Sequence, residues 1–385
     1  MTVSLPELIG HEEIRGALAS AYARHQLPGS ILLHGPAGIG KQRIGLWLAQ
    51  RILCETPGPV DPCGVCAACK AVLKLQHPDV HWFFPLPRPK ASGSPEKLAD
   101  ALEEARAEEL ATRRQNPFRA ITPAETIGIY VAHVQTLRRL ATARPAMGRN
   151  KIFLIGDAEA LVPQEASPEA ANALLKVLEE PPADTTFILT AADPDALLPT
   201  LRSRLLPVRI QPLPVETVER SLVQHVHAEQ KQARLAARLS QGSIGKALAF
   251  LPEDGEPGAF ETLRQDAREL LAAATSPNPT ARLTAAHGTA PAGARGAFLD
   301  TLDFLAGWVR DLAAAAEGAD DLILNVDSLK WLKELSVRHP GAGRGAAKAV
   351  QLIEYTRGLT TFNINPQLAL ANLLKDLNRA LMNGN

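Results

Sequence analysis

The chain has 385 residues, of which 46% are hydrophobic and 21% charged, and its 41 Lys and Arg balance its 41 Asp and Glu. This length predicts two or three domains with separate cores, and the composition excludes wholesale disorder. Zero net charge removes the argument for a strongly basic surface, so we expect the isolated chain to bind DNA poorly. Because long apolar runs and a signal-peptide pattern are both absent from the sequence, we expect a cytoplasmic protein with no membrane partner.

The predicted elements alternate between helix and strand up to about residue 210. Apolar spacing predicts helices over 12–24, from 41 to about 54, from 67 to 75, through 129–140 and over 169–179. Apolar runs predict buried strands over 30–34, 81–86, 151–155, 186–190 and 206–210. This alternation favours a parallel sheet that helices cover on both faces.

Two stretches interrupt or end this alternation. Residues 87–126 begin with a linker rich in Pro, Ser and Gly and continue with a charged helix over 96–114, which we interpret as a solvated insertion. After residue 215 the strand signals largely disappear, which predicts helical units. The expected domains are an α/β core at 1–212, a helical lid at 213–254 and a helical C-terminal domain at 255–385.

A glycine-rich run follows the first predicted strand and opens the next helix, which is the context that a phosphate-binding P-loop requires. Glycines let several backbone N–H groups point at phosphate oxygens, and the helix N-terminus and a lysine add positive charge. A glycine-rich turn without function is the alternative. The candidate cofactor-binding residues are Gly35, Pro36, Ala37, Gly38, Ile39, Gly40, Lys41 and Gln42.

Two separate positions that hold Mg²⁺ in P-loop hydrolases are altered. The P-loop position that supplies a Ser or Thr hydroxyl to the metal is Gln42 here. After the strand at 151–155, Gly156 takes the slot of the metal-binding Asp, and Asp157 and Glu159 follow it. The sequence therefore predicts a degenerate site in which the loop remains compatible with weak ATP binding, whereas Mg²⁺ positioning fails.

All four cysteines lie close together in the chain, separated by eight, two and two residues: Cys54, Cys63, Cys66 and Cys69. Four thiolates complete a tetrahedral zinc site, and C-x₂-C turns supply ligands in pairs. The alternatives are disulfides, which a cytoplasmic location disfavours, an iron–sulfur cluster, and unligated thiols. Because a four-sulfur site has no open coordination position, we expect a structural zinc in a module at 54–69.

Four further segments match one family: LIGHE at 8–12, NALLKVLEEPP at 172–182, LRSR at 201–204 and NPQLAL at 365–370. Together with the P-loop and the cysteines, these motifs resemble the bacterial clamp-loader AAA+ family of DNA polymerase III, most closely its delta-prime branch. The resemblance covers residues 5–250 well and the C-terminal helices more loosely. The LEEPP segment and the cysteine spacing are its most specific parts.

The resemblance implies an AAA+ P-loop parallel-sheet core, a small helical lid and an all-helical collar domain. The implied partners are gamma/tau and delta subunits in a five-subunit ring, the sliding clamp, and primed DNA contacted through the assembly. In this family a Ser-Arg-Cys motif supplies an arginine to the ATP of a neighbouring subunit. Ser203, Arg204 and Leu205 match the motif except at the cysteine, so Arg204 is the candidate catalytic residue in trans. A surface arginine in a turn is the alternative.

Two more family positions are altered. Gly245 occupies the slot of an arginine in the lid, and Ala191 replaces a polar nucleotide sensor. Together with Gln42 and Gly156, they favour a stator-like subunit of the polymerase complex that has neither ATPase nor polymerase activity of its own. The alternatives are an active gamma/tau-type ATPase and an AAA+ regulator that has no clamp partner.

Overall fold

The computed structural model describes residues 8–89, 95–115, 127–161, 169–288, 295–360 and 365–383. These residues divide into two compact units. Unit 1 comprises the described residues up to 226 together with 241–245, and unit 2 comprises 227–240 and the described residues from 246 onward.

Unit 1 is an α/β structure. Its strands are β1 Ser30–His34, β2 Val80–Phe83, β3 Leu86–Pro87, β4 Ile127–Gly128, β5 Lys151–Ile155, β6 Thr185–Ala191 and β7 Leu206–Arg209. Its helices are α1 Glu12–Ala23, α2 Lys41–Leu53, α3 Ala67–Leu73, α4 Pro95–Gln115, α5 Val131–Thr142, α6 Glu169–Glu179, α7 Pro199–Arg202 and α8 Val215–Val226.

Five of these strands form one sheet in the order β2-β5-β6-β1-β7, and every neighbouring pair is parallel. Successive residues of a strand point to opposite faces, and both faces are buried here. Ile152 and Leu154 of β5 lie in the core cluster that contains α2, whereas Phe153 and Ile155 lie in the cluster that contains α5 and α6. The predicted parallel sheet, covered on both faces, is confirmed.

The apolar run at 81–86 forms two strands, so the prediction of one strand is wrong. β2 ends at Phe83, and Leu86 pairs with Gly128 in a separate antiparallel sheet of β3 and β4. Pro85 lies between the two strands and has no N–H to donate to a ladder. A proline therefore ends the strand even though apolar residues stand on both sides of it.

The charged helix α4 packs on the sheet, so its description as solvated is wrong. Leu102 is only 1% exposed. The Arg113 guanidinium lies 4.6 Å from the ring centroid of Trp82 and 4.0 Å from that of Phe84. Arginine stems and guanidinium faces supply contacts that a count of apolar residues does not register. The rest of the interrupting stretch, 90–94 and 116–126, lies outside the described residues.

The remaining helices are α9 Gln230–Leu239, α10 Ile244–Phe250, α11 Ala259–Ala274, α12 Pro279–Gly288, α13 Arg295–Ala316, α14 Leu329–Arg338, α15 Ala342–Leu359 and α16 Pro366–Asn383. Trp308 is fully buried in the core that α11 to α16 share. The predicted fold class, a parallel-sheet core followed by a helical C-terminal region, is confirmed, whereas the divisions at 212 and 254 stay predictions. In the part of the chain that the structure describes, no helix is both long and apolar enough to span a membrane.

Candidate functional site

The glycine-rich loop runs from the carboxyl end of β1 into the first turn of α2, as predicted. Gly35 and Gly40 have φ angles of 147° and 95°, in the region that favours glycine. A Cβ on Gly35 would lie 2.3 Å from the carbonyl oxygen of Ile210, which follows the neighbouring strand β7. The close approach of two strands therefore requires glycine at the first position of the loop.

Lys41 places its charge inside this loop. Its Nζ donates to the carbonyl oxygens of Gly35 at 2.7 Å and Pro36 at 2.8 Å, and the residue is 4% exposed. On the other side of the loop, Nε2 of His11 lies 2.9 Å from the carbonyl oxygen of Ile39. Burial lowers the pKa of His11. His11 entered the family resemblance only as part of the LIGHE motif, and the contact of His11 with the loop was not predicted.

The side chain of Gln42 bridges two other elements of the site. Its Oε1 accepts a hydrogen bond from Trp82 Nε1 at 3.0 Å, and its Nε2 donates to Asp157 Oδ2 at 3.0 Å. A Cβ on Gly156 would lie 2.5 Å from the same Oε1. The amide therefore fills the space beside residue 156, and the two altered metal positions form one structural unit.

The two acids after β5 are half-buried and are tied to the neighbouring strand β6 and the residue after it. The backbone N–H of Asp157 donates to Thr190 Oγ1 at 3.0 Å, and the backbone N–H of Ala192 donates to Glu159 Oε1 at 2.9 Å. Burial raises the pKa of both carboxyl groups, although the positive charge of Lys41 opposes the shift. Thr190 therefore contacts the site, and the sequence singled out only its neighbour Ala191.

Gly156→Asp is expected to destabilise unit 1 by about 1–3 kcal/mol, because the new side chain must displace the Gln42 amide from its partners. The midpoint of urea unfolding measures the loss. Adding Gln42→Ser should recover most of the lost stability, since the shorter side chain vacates the space. Gly16→Asp is the matched control because a Cβ at Gly16 would meet nothing within 4 Å. Equal losses with and without Gln42→Ser would contradict the coupling.

The four cysteines come together as predicted. All four Sγ atoms lie within 4.8 Å of one another, and none forms a disulfide. Cys63 Sγ and Cys69 Sγ are 3.9 Å apart. Sulfur ligands of a tetrahedral zinc lie about 3.8 Å apart, given Zn–S bonds of about 2.3 Å. The cysteine cluster therefore has the dimensions that a four-sulfur metal site needs.

Backbone N–H groups point at the sulfurs of this cluster. The N–H of Cys63 donates to Cys54 Sγ at 3.3 Å, and that of Cys66 donates to Cys63 Sγ at 3.3 Å. Donation from Cys66 and Val65 lowers the pKa of the Cys63 thiol to about 6. Because the thiolate is the form that binds a metal, these hydrogen bonds favour the ligand state of Cys63, whereas burial raises the pKa of the Cys54 and Cys69 thiols.

One carboxylate attaches the cysteine module to the helices of unit 1. Asp61 Oδ1 accepts hydrogen bonds from Arg15 Nη1 of α1 and from Trp47 Nε1 of α2, both at 2.9 Å. Arg51 Nε of α2 also donates to the carbonyl oxygen of Val60 at 3.0 Å. The module is thus fixed to the helix that follows the P-loop.

Arg204 is exposed just beyond the end of α7. Its guanidinium contacts Thr200, Ser203 and Glu179, and none of its described contacts is with the P-loop of its own chain. Leu205 is 6% exposed and belongs to the core. Cysteine behaves as a small apolar residue when buried, so leucine preserves the character of that position.

A comparison with models of protein families identifies the family of this chain. A family model described as DNA polymerase III, delta subunit, matches residues 10–214, which is more than half of the 385 residues. The chain belongs to this family. The resemblance to the clamp-loader proteins of DNA polymerase III is therefore confirmed.

The curated relatives include proteins named subunit delta' and proteins named subunit tau or gamma/tau. The chain is 33% identical over 181 residues to DNA polymerase III subunit delta' of Pseudomonas aeruginosa, covering 47% of this chain and 42% of that protein. It is 30% identical over 248 residues to subunit delta' of Escherichia coli, covering 64% and 61%. It is 28% identical over 249 residues to subunit tau of Salmonella typhimurium, covering 63% and 32%. The matches thus span about a third to three fifths of these relatives.

Proposed function

We propose that the chain is a stator-like clamp-loader subunit of the delta-prime type, which does not hydrolyse ATP. The observation that carries this proposal is the Gln42 bridge. Both ends of the amide are hydrogen-bonded, to Trp82 and to Asp157, and the amide fills the space beside Gly156. Because P-loop hydrolysis depends on Mg²⁺ held between these two segments, a site built in this way lacks the metal position.

In this proposal the chain acts on a neighbour. Arg204 reaches the ATP of an adjacent gamma/tau-type subunit and neutralises charge that develops on the γ-phosphate. The partners are gamma/tau and delta subunits in a five-subunit ring that loads the sliding clamp on primed DNA. The balance of 41 basic and 41 acidic residues accords with a subunit that meets DNA through the assembly.

The proposal also assigns the metal ion and the nucleotide that this chain binds. Cys54, Cys63, Cys66 and Cys69 hold one structural zinc ion, because their four sulfurs are clustered and three of them accept hydrogen bonds from backbone N–H groups. The P-loop binds ATP weakly or not at all, and it positions no Mg²⁺.

The purified full chain is expected to show no Mg²⁺-dependent ATP turnover, since its metal position is filled by an amide. Phosphate release at saturating ATP measures this, with Lys41→Ala as the background control. If the chain turns over ATP and Lys41→Ala abolishes that turnover, the result would support the alternative of an active gamma/tau-type ATPase. Failure of the chain to co-purify with other polymerase III subunits would support a regulator without a clamp.

A further inference from the structure

The candidate arginine of the proposed trans mechanism is held by an acid from a different helix. Arg204 Nη2 donates to Glu179 Oε1 at 2.5 Å, and Arg204 Nη1 donates to the carbonyl oxygen of Thr200 at 2.8 Å. Glu179 is the last residue of α6, and Arg204 follows α7. A guanidinium carries five N–H donors, so donors remain for a second anion while both contacts persist.

The two backbone segments that carry Glu179 and Arg204 are anchored in the core of unit 1. Leu178 next to Glu179 is buried, and Leu201 and Leu205 on either side of Arg204 are buried in the same cluster. Pro181 and Pro182 follow α6 and end it close to the acid. An exposed pair between mobile segments contributes little, whereas this pair joins two fixed points.

We propose that Glu179 is a positioning residue for Arg204, an inference that rests on the proposed trans function. A free arginine side chain samples many rotamers and loses that freedom only when it binds. The carboxylate and the Thr200 carbonyl remove much of that freedom beforehand and leave donors available for a second anion. Donors that are oriented in advance stabilise developing charge best, so Glu179 assists the neighbour's nucleotide without touching it.

A second exposed ion pair lies beside Arg204, and neither of its members is part of the proposal. Arg202 is also exposed and pairs with Asp195. Glu180 is the residue after Glu179, is exposed in the same way and carries the same charge. Glu180→Ala therefore removes one negative charge at the same place without removing the partner of Arg204, which makes it the matched control.

The test uses the complex reconstituted with its ATPase and delta subunits, clamp and primed DNA. Glu179→Ala should lower the kcat of ATP turnover about fivefold, the kinetic equivalent of one well-formed exposed ion pair. Glu179→Gln should fall between Glu179→Ala and the wild type, because its amide oxygen still accepts, and Glu180→Ala should have no effect. In an Arg204→Ala background, Glu179→Ala should cause no further loss.

The following outcomes overturn the inference. Faster turnover with Glu179→Ala would mean that the acid competes with the nucleotide for Arg204. A loss that adds to that of Arg204→Ala, or that accompanies loss of assembly by mass, would make Glu179 merely structural. If Arg204→Ala lowers turnover but Glu179→Ala leaves it unchanged, Glu179 has no positioning role, whereas the trans function of Arg204 stands. If Arg204→Ala itself has no effect, the proposed trans function fails as well.

Discussion

Replacing Arg204 by alanine is expected to lower ATP turnover of the reconstituted complex by about 10³-fold or more, while the ring still assembles. An arginine supplied in trans compensates negative charge on the transferring phosphoryl group, and effects of about 10³–10⁵ follow when such a residue is supplied or removed. The side chain is exposed and anchors no core, so its truncation leaves the folding of unit 1 unchanged. Steady-state turnover with clamp and primed DNA measures the effect, and the mass of the complex reports assembly.

Arg202→Ala is the control for this experiment. Arg202 lies two residues earlier, is exposed and pairs with Asp195, so its removal takes the same charge from the same segment. Turnover should remain within a factor of about two, as expected for an exposed residue outside the mechanism. Equal losses for both variants would mean that the segment acts through general charge, and an unaffected Arg204→Ala complex would refute the trans mechanism.

The parts of the fold that the sequence predicted correctly are those that residues nearby in the chain determine. β1 and β5 have the predicted bounds because each is a short apolar run with polar or glycine residues at its ends. The P-loop context followed from glycine spacing between a strand and a helix, and α6 ends at Glu179, as its two following prolines predicted. These signals lie within a few residues of the structure that they specify.

The parts that the sequence did not predict depend on contacts between distant segments. Gln42 and Gly156 were treated as two separate changes, because nothing in a linear pattern shows that one side chain occupies the space beside the other. The packing of α4 depends on Arg106 and Arg113, whose guanidinium groups lie over aromatic rings of β2 and of the residue after it. Thr190 and Glu179 were missed because their partners, Asp157 and Arg204, lie far along the chain.

Replacing Cys63 and Cys66 together by serine is expected to abolish binding of one zinc ion per chain and to unfold the module at 54–69. Structural zinc supplies about 10–16 kcal/mol of apparent binding free energy in small zinc-binding peptides at neutral pH. Apart from the cysteine sulfurs, the module is held by hydrogen bonds of Asp61 and Val60 and by the packing of Ala68, Val60 and Cys66 against the core around α2. Elemental analysis measures the metal, and proteolysis between Cys54 and Cys69 reports unfolding of the module.

Val65→Ser is the matched control, because Val65 lies between two of the cysteines and is 69% exposed, so its loss removes no core packing. Zinc content and protease resistance should be unchanged in this variant. The competing states of the cysteines, which are zinc, an iron–sulfur cluster, disulfides and unligated thiols, respond differently to three tests. A zinc site is lost to a strong chelator and releases a colourless ion, an iron–sulfur cluster absorbs visible light, and a disulfide survives chelation but yields to a thiol reductant. The metal that a chelator releases, the visible absorption and the effect of a reductant together therefore identify what holds the four sulfurs within 4.8 Å of one another.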